Sequence, residues 1–287
     1  MTNERGNQSH PPVVDQAVYQ AELDKLRARE KAHTREGDAI AAARRRLPMV
    51  EVDARLPLTG PGGPLTLLDA FEGRRQLIAY YFMWYDGYPA DRQCEGCTWC
   101  ASQVGELSYL HSRDITYAVF CQGPYEESAR YREFMGWQMP WYSAQQSLAA
   151  LLPPPRQPGL MHLVSYLRDG DQVYETYWTT RRGVEQLDNS LALMDITVYG
   201  RQESWEDSPP GWPQACTNAR TMDGPPAWTP VPEWPAGRPA AQWPRLAAGH
   251  SDDLTAGPSK PMPFRSGLSG FFTPANCATA CWWTWRE

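Results

Sequence analysis

The stretch RRQLIAYYFMWY (Arg74–Tyr85), the loop DGYPADRQ and then CEGCTWCASQV (Cys94–Val104) decide how this chain folds. The first part holds the most apolar run of the sequence. It is eight to ten residues long and rich in aromatics, so it reads as a strand buried on both faces. Helical period follows at once in CTWCASQVGELSYLHS, where Val104, Leu107 and Leu110 share a face, with Trp99 and Cys100 close to it. Between strand and helix sit three cysteines at even spacing, Cys94, Cys97 and Cys100.

Moving outward on the C-terminal side, DITYAVFCQG (Asp114–Gly123) reads as a second buried strand. EESARYREFMG is a helix ended by Gly136, and GWQMPWYS an aromatic loop. A Pro-rich stretch, Leu151–Gly159, precedes a hairpin over Leu160–Thr180 whose turn carries Asp169-Gly170. RRGVEQLDNSLALMDI then has the period of one more helix. Strands alternating with helices, closed by a hairpin, imply an α/β sheet with an antiparallel edge.

On the N-terminal side, MVEVDARLPLTGPGG gives a short strand and a turn rich in Gly and Pro. PLTLLDAF supplies a strand end and one helical turn. Residues 15–47 are expected to be a helical arm: one helix from Asp15 to about Ala32, then a second, AIAAARRR, with Thr34 as its N-cap. Residues 1–14 are expected to be disordered. Residues 208–287 form a C-terminal extension of different character; from 209 on it holds fourteen prolines and seven tryptophans and little helical or strand period.

Composition narrows the function. Net charge is −6 and the middle of the chain is acidic, which argues against nucleic acid as a partner. No apolar run is long enough to cross a membrane, and MTNERGNQSHPPVVDQ has no apolar core of a signal peptide, so a cytoplasmic location is expected. Seven cysteines in 287 residues are too few for a disulfide scaffold; in a reducing compartment a close cluster points to catalysis or metal.

A CxxC between strand and helix has a chemical logic. The first thiol sits at the helix N-terminus, where free N–H groups and the macrodipole favour an anion. The second, one turn on, resolves the mixed disulfide. Cys94 is thus the expected nucleophile, exposed at the tip, and Cys97 the more buried resolving thiol. Glu95 should blunt the pKa depression and Arg92 offset that. Cys100 reads as a small buried hydrophobe, or else as a third thiol or ligand. A structural zinc would need a fourth ligand, and His111, Cys121, Cys277 or Cys281 are not at a spacing that predicts one. Trp84, Tyr85, Trp99, Trp137 and Trp141 are either core or the walls of a substrate groove.

These residues resemble the DUF899 family, thioredoxin-like bacterial proteins described as predicted dithiol–disulfide oxidoreductases. The resemblance runs from about Val18 to Asp207. It rests on REGDAIAAARRRLPMVEV, LTLLDAFEGRRQLIAYYFMW, CEGCTWCA, LHSRDITYAVF, FMGWQMPWYS, LRDGDQVYETYWTTRRG and LMDITVYGRQESWED in order. It implies a three-layer thioredoxin-like domain over 48–207, with Cys94 and Cys97 as its redox pair and no cofactor. The slot that holds a cis-proline in thioredoxins falls near His162, with Pro158 the nearest proline, which would put His162 in the groove. The expected substrate is a disulfide-containing protein or a small thiol, with a homodimer through the helical arm. A metal-binding module using Cys94, Cys97 and Cys100, and a thioredoxin-fold binding protein without turnover, stand as alternatives.

Overall fold

The computed structural model describes residues 10–88, 93–203 and 205–213. The expectations for 1–9, for Arg92 and the Glu95 side chain, and for the extension beyond 213, including Cys277 and Cys281, lie outside the described residues.

The helical arm is one helix, α1 (Gln16–Arg44), not two. Asp15 caps it by accepting from the Val18 N–H at 2.9 Å. Thr34 does not cap a second helix. Its hydroxyl donates back to the Glu30 carbonyl at 3.0 Å, the bond a mid-helix threonine makes when the helix continues. No residue of α1 is buried.

The remainder builds one eight-stranded sheet: β1 (Val50–Val52), β2 (Pro57–Gly60), β3 (Gly63–Thr66), β4 (Gln76–Phe82), β5 (Ile115–Cys121), β6 (Trp141–Ser143), β7 (His162–Asp169) and β8 (Gln172–Thr180). Their spatial order is β1-β8-β7-β4-β5-β6-β2-β3. The pairs β4–β5 and β5–β6 are parallel; all others are antiparallel. Two strands depart from the expectation. The Gly/Pro-rich turn is the β2–β3 hairpin, and the aromatic loop contains β6, which extends the parallel part of the sheet.

The helices are α2 (Glu95–Ser102), α3 (Ser108–His111), α4 (Tyr125–Met135), α5 (Leu148–Leu151) and α6 (Asn189–Asp195). The motif helix is thus two pieces, parted around Gly105, and the last predicted helix is a 3₁₀ segment, Arg181–Leu187, followed by α6. Gly136 ends α4 with φ 70°, the left-handed conformation that only glycine takes without strain.

β4 alternates between two cores as its period of two requires. Tyr80 and Phe82 face one, Leu77, Ala79 and Tyr81 the other. The crossovers β4-α2-β5 and β5-α4-β6 step the same way across the sheet. Since such connections are right-handed, both helices lie on one face, and side chains of α2, α4 and the 3₁₀ segment share a core there. The chain returns from β6 to β7 over the other face, where Phe71, Leu151 and Leu152 pack with Tyr81, Phe120 and Tyr166. Within this sheet, β5-β4-β7-β8 with a helix after the first strand and a closing helical segment after the hairpin is the thioredoxin-like arrangement, in three layers.

Candidate functional site

The cysteine motif sits where β4 ends and α2 begins. Gln93, fully buried, closes the incoming loop: its Oε1 accepts from the Tyr85 N–H at 3.1 Å, and its Nε2 donates to the carbonyls of Tyr85 and Tyr88. Cys94 is the N-cap of α2, and its Sγ accepts the Cys97 N–H at 3.4 Å. The sulfur therefore occupies the place a serine oxygen takes in an ordinary cap, at the positive end of the helix. Its thiol donates to Met83 Sδ at 3.9 Å, and the Met83 N–H donates to Cys97 Sγ at 3.4 Å.

Cys94 is not exposed at a tip. It is 1% exposed, and Cys97 and Cys100 are wholly covered. All three are free thiols. Apolar closure raises the cost of a thiolate: burial pushes the Cys97 thiol well above its ordinary value, with the neighbouring Cys94 adding to it. Burial does the same to Cys100, and Asp188 adds to that shift. Cys121, mid-sheet, is pushed up to about 12 by burial.

Three residues that sequence reasoning passed over complete the site. Asp188, 4% exposed at the junction of the 3₁₀ segment and α6, accepts the Cys100 thiol at 3.3 Å through Oδ2. Tyr80 and Tyr117 are buried beside the thiols, Tyr80 with its hydroxyl next to Cys97 and Cys100. Tyr80 and Tyr117 follow from the strand register once β4 and β5 are known to face α2. Asp188 had no signal in the sequence, because nothing local ties residue 188 to residue 100.

The groove residues are placed differently. Trp137 stacks on Trp141 with centroids 5.6 Å apart, Phe82 meets both at a tilt, and Trp84 packs on Tyr131 at 5.6 Å. Trp141 belongs to the core that holds the thiols, and Trp84 and Trp137, partly buried, pack against it. Trp99 ties α2 to α6, its Nε1 donating to Ser190 Oγ at 2.5 Å. His162 lies on the opposite face of the sheet, paired with Tyr81, its Nε2 2.9 Å from the Gln157 carbonyl oxygen. Burial holds its pKa down. It lines a cavity of about 510 Å³ with Arg156, Trp178 and Thr180, away from the cysteines. The side chain before β7 that approaches the motif is Met161, whose Cε lies 3.6 Å from where a Cβ on Gly96 would be. Strand alternation explains the exchange: adjacent residues at the start of β7 face opposite cores. Among the described residues no group of three His, Cys, Asp or Glu side chains is arranged to hold a metal ion, and no helix is long and apolar enough to cross a membrane.

Fold and site together define a thioredoxin-like α/β protein whose first two motif cysteines open the helix after the central strand. The family model for the bacterial proteins of unknown function DUF899 matches residues 8–223, and the chain belongs to that family. No curated protein matches it. Among solved structures it is similar to peroxiredoxin Q from Xanthomonas campestris at 15% identity, over 52% of this chain and 97% of that one, with a TM-score of 0.34. Similar too are a thioredoxin from Wuchereria bancrofti (13%, 49% and 90%, 0.32) and peroxidoxin BcpB from Mycobacterium tuberculosis (17%, 52% and 94%, 0.31).

Proposed function

We propose that the protein is a dithiol–disulfide oxidoreductase in which Cys94 is the nucleophile and Cys97 the resolving thiol. The observation that carries this reading is the capping geometry. The Cys94 sulfur already accepts a helix N–H, so a thiolate there gains a charge-assisted bond without rearrangement. The Cys97 thiol, kept protonated by burial, does not compete as a nucleophile in the reduced protein.

The exchange balances in two steps. The Cys94 thiolate attacks one sulfur of a substrate disulfide; the new S–S bond forms as the old one breaks, and one substrate sulfur leaves as a thiolate. Cys97 then loses its proton and attacks Cys94 Sγ, releasing the second substrate thiolate. The substrate is reduced by two electrons and the protein is left with a Cys94–Cys97 disulfide. A disulfide-bearing protein or a small disulfide both satisfy this chemistry. The low exposure of Cys94, 1%, favours a slender substrate. A cytoplasmic setting, where reductants keep such a pair supplied, fits the same reading.

The test is differential alkylation with peptide mapping after equilibration in graded glutathione buffers. Cys94 and Cys97 should oxidise together, reversibly, at one potential. Thiols that resist alkylation until a chelator is added would mean ligands instead, and the oxidoreductase reading would be dropped.

A further inference from the structure

The dithiol pair leaves one thiol of the motif unused. Cys100 follows Cys97 by three residues, as Cys97 follows Cys94, and all three lie along α2 or at its cap. In an α-helix, residues three apart share a face with Cα atoms about 5 Å apart, inside the range a disulfide spans. Cys97 therefore stands between two possible partners. Cys100 is the thiol of the motif whose proton points at a carboxylate, Asp188 Oδ2 at 3.3 Å. The Tyr80 hydroxyl lies beside both Cys97 and Cys100, where it partly offsets the upward push of burial on each.

We propose that Cys100 is a third redox thiol that takes the disulfide over from Cys94, with Asp188 accepting its proton. This rests on the exchange reading above. Starting from the Cys94–Cys97 disulfide, the Cys100 proton passes to Asp188 Oδ2. The Cys100 sulfur attacks Cys97 Sγ. The Cys97–Cys100 bond forms, the Cys94–Cys97 bond breaks, and Cys94 departs as a thiolate at the helix N-terminus. No oxidant enters, since the step is an isomerisation. Its result is a protein that stores the oxidised bond one turn deeper and presents Cys94 reduced again, ready for a further mixed disulfide. The Tyr80 hydroxyl, beside Cys97 and Cys100, can donate to whichever of those two sulfurs carries the charge.

The experiment uses the full chain, oxidised glutathione, quenching by alkylation and disulfide mapping by mass. Wild-type protein should show Cys94–Cys97 first and Cys97–Cys100 later. Cys94→Ser, which lacks the thiol that starts the sequence, should form Cys97–Cys100 at least tenfold more slowly, and Cys100→Ser should stop at Cys94–Cys97. Asp188→Asn should slow the conversion at least tenfold, timed from a sample in which the first disulfide has already formed. It should also alter the pH profile: conversion nearly flat around neutrality in the wild type should rise about tenfold per pH unit in the variant, where hydroxide replaces the carboxylate. A merely structural role for Asp188 would leave that profile unchanged. If wild-type protein with native circular dichroism forms Cys94–Cys97 but no Cys97–Cys100 bond at any time, while Cys100→Ser forms Cys94–Cys97 as well, the relay is overturned and the exchange reading stands. If Cys100→Ser forms no Cys94–Cys97 bond either, the exchange reading falls and the relay with it.

Discussion

At the scale of single residues, contacts distant in sequence decide roles that spacing alone does not. Gly123 is an example. A Cβ built there would lie 2.0 Å from Trp84 Cδ1 and 2.8 Å from Trp84 Cβ. The indole lies against bare backbone and reaches across to Glu127, to whose Oε2 its Nε1 donates at 3.2 Å. Gly123→Ala must push the ring out of this seat. It should destabilise the protein by about 1–3 kcal/mol, the usual cost of overpacking a core, read as a lower urea midpoint. Gly105→Ala, with nothing within 4 Å of the added carbon, is the control and should change little. The same principle explains what was legible at the site. Cys94 and Cys97 could be placed at the head of α2 because strand, thiols and helix are contiguous. His162 could not, because a one-residue offset in β7 exchanges it with Met161 and turns it to the other face. Nor could the burial of Cys94, whose thiol lies against Met83.

At the scale of elements, the two long central strands were readable from their apolar runs, and the hairpin from its Asp-Gly turn. Short elements were not. β6 is three residues long and takes its structure from β5 beside it rather than from its own pattern. The β2–β3 hairpin hid within glycines and prolines. Helix α1 raises the opposite question, since it is long yet buries no residue, and its Arg44 guanidinium lies over the Tyr177 ring at 5.0 Å. Such a helix depends on its own capping and charge pairs, for example Lys25–Glu22. Deleting residues 1–45 should therefore lower the unfolding free energy of the sheet by no more than about 1 kcal/mol, the worth of one exposed cation–π contact, checked by denaturant titration. A homodimer through the arm, proposed from its length, would show in the same pair of proteins as a sedimentation coefficient that loses its concentration dependence on deletion.

At the scale of the whole molecule, the interior is unusually rich in groups that must stay protonated. Burial raises Cys97 and Cys100 well above their ordinary values, lifts Cys121 to about 12, and raises Tyr80, Tyr81 and Tyr117 as well. The sign of the resulting pH dependence is fixed. A raised native pKa means that above the unfolded value the unfolded chain releases protons the native chain keeps. Stability is complete below that value and lost as pH rises. The thiols start this loss above pH ~8.5 and the tyrosines add to it above ~10, each contributing a limiting slope of about 1.4 kcal/mol per pH unit. Thermal denaturation followed from pH 7 to 11 should show a steep alkaline decline, shallower in Cys121→Ala than in the wild type. On the acid side His162, its native pKa held down, works in the other direction: its contribution is present above about 6.5 and fades as pH falls below it.

The cover over Cys94 has a kinetic meaning. As the proposed nucleophile, Cys94 is 1% exposed and would react through the fraction of molecules in which it is uncovered. The apparent rate constant is then the intrinsic thiolate rate multiplied by an opening equilibrium. Met83, which the Cys94 thiol meets at 3.9 Å, and Gln93, which holds Tyr85 and Tyr88, exchange no electron and are placed to bias that equilibrium. Substitutions there would tune turnover over orders of magnitude while the reduction potential of the pair stayed where α2 holds it.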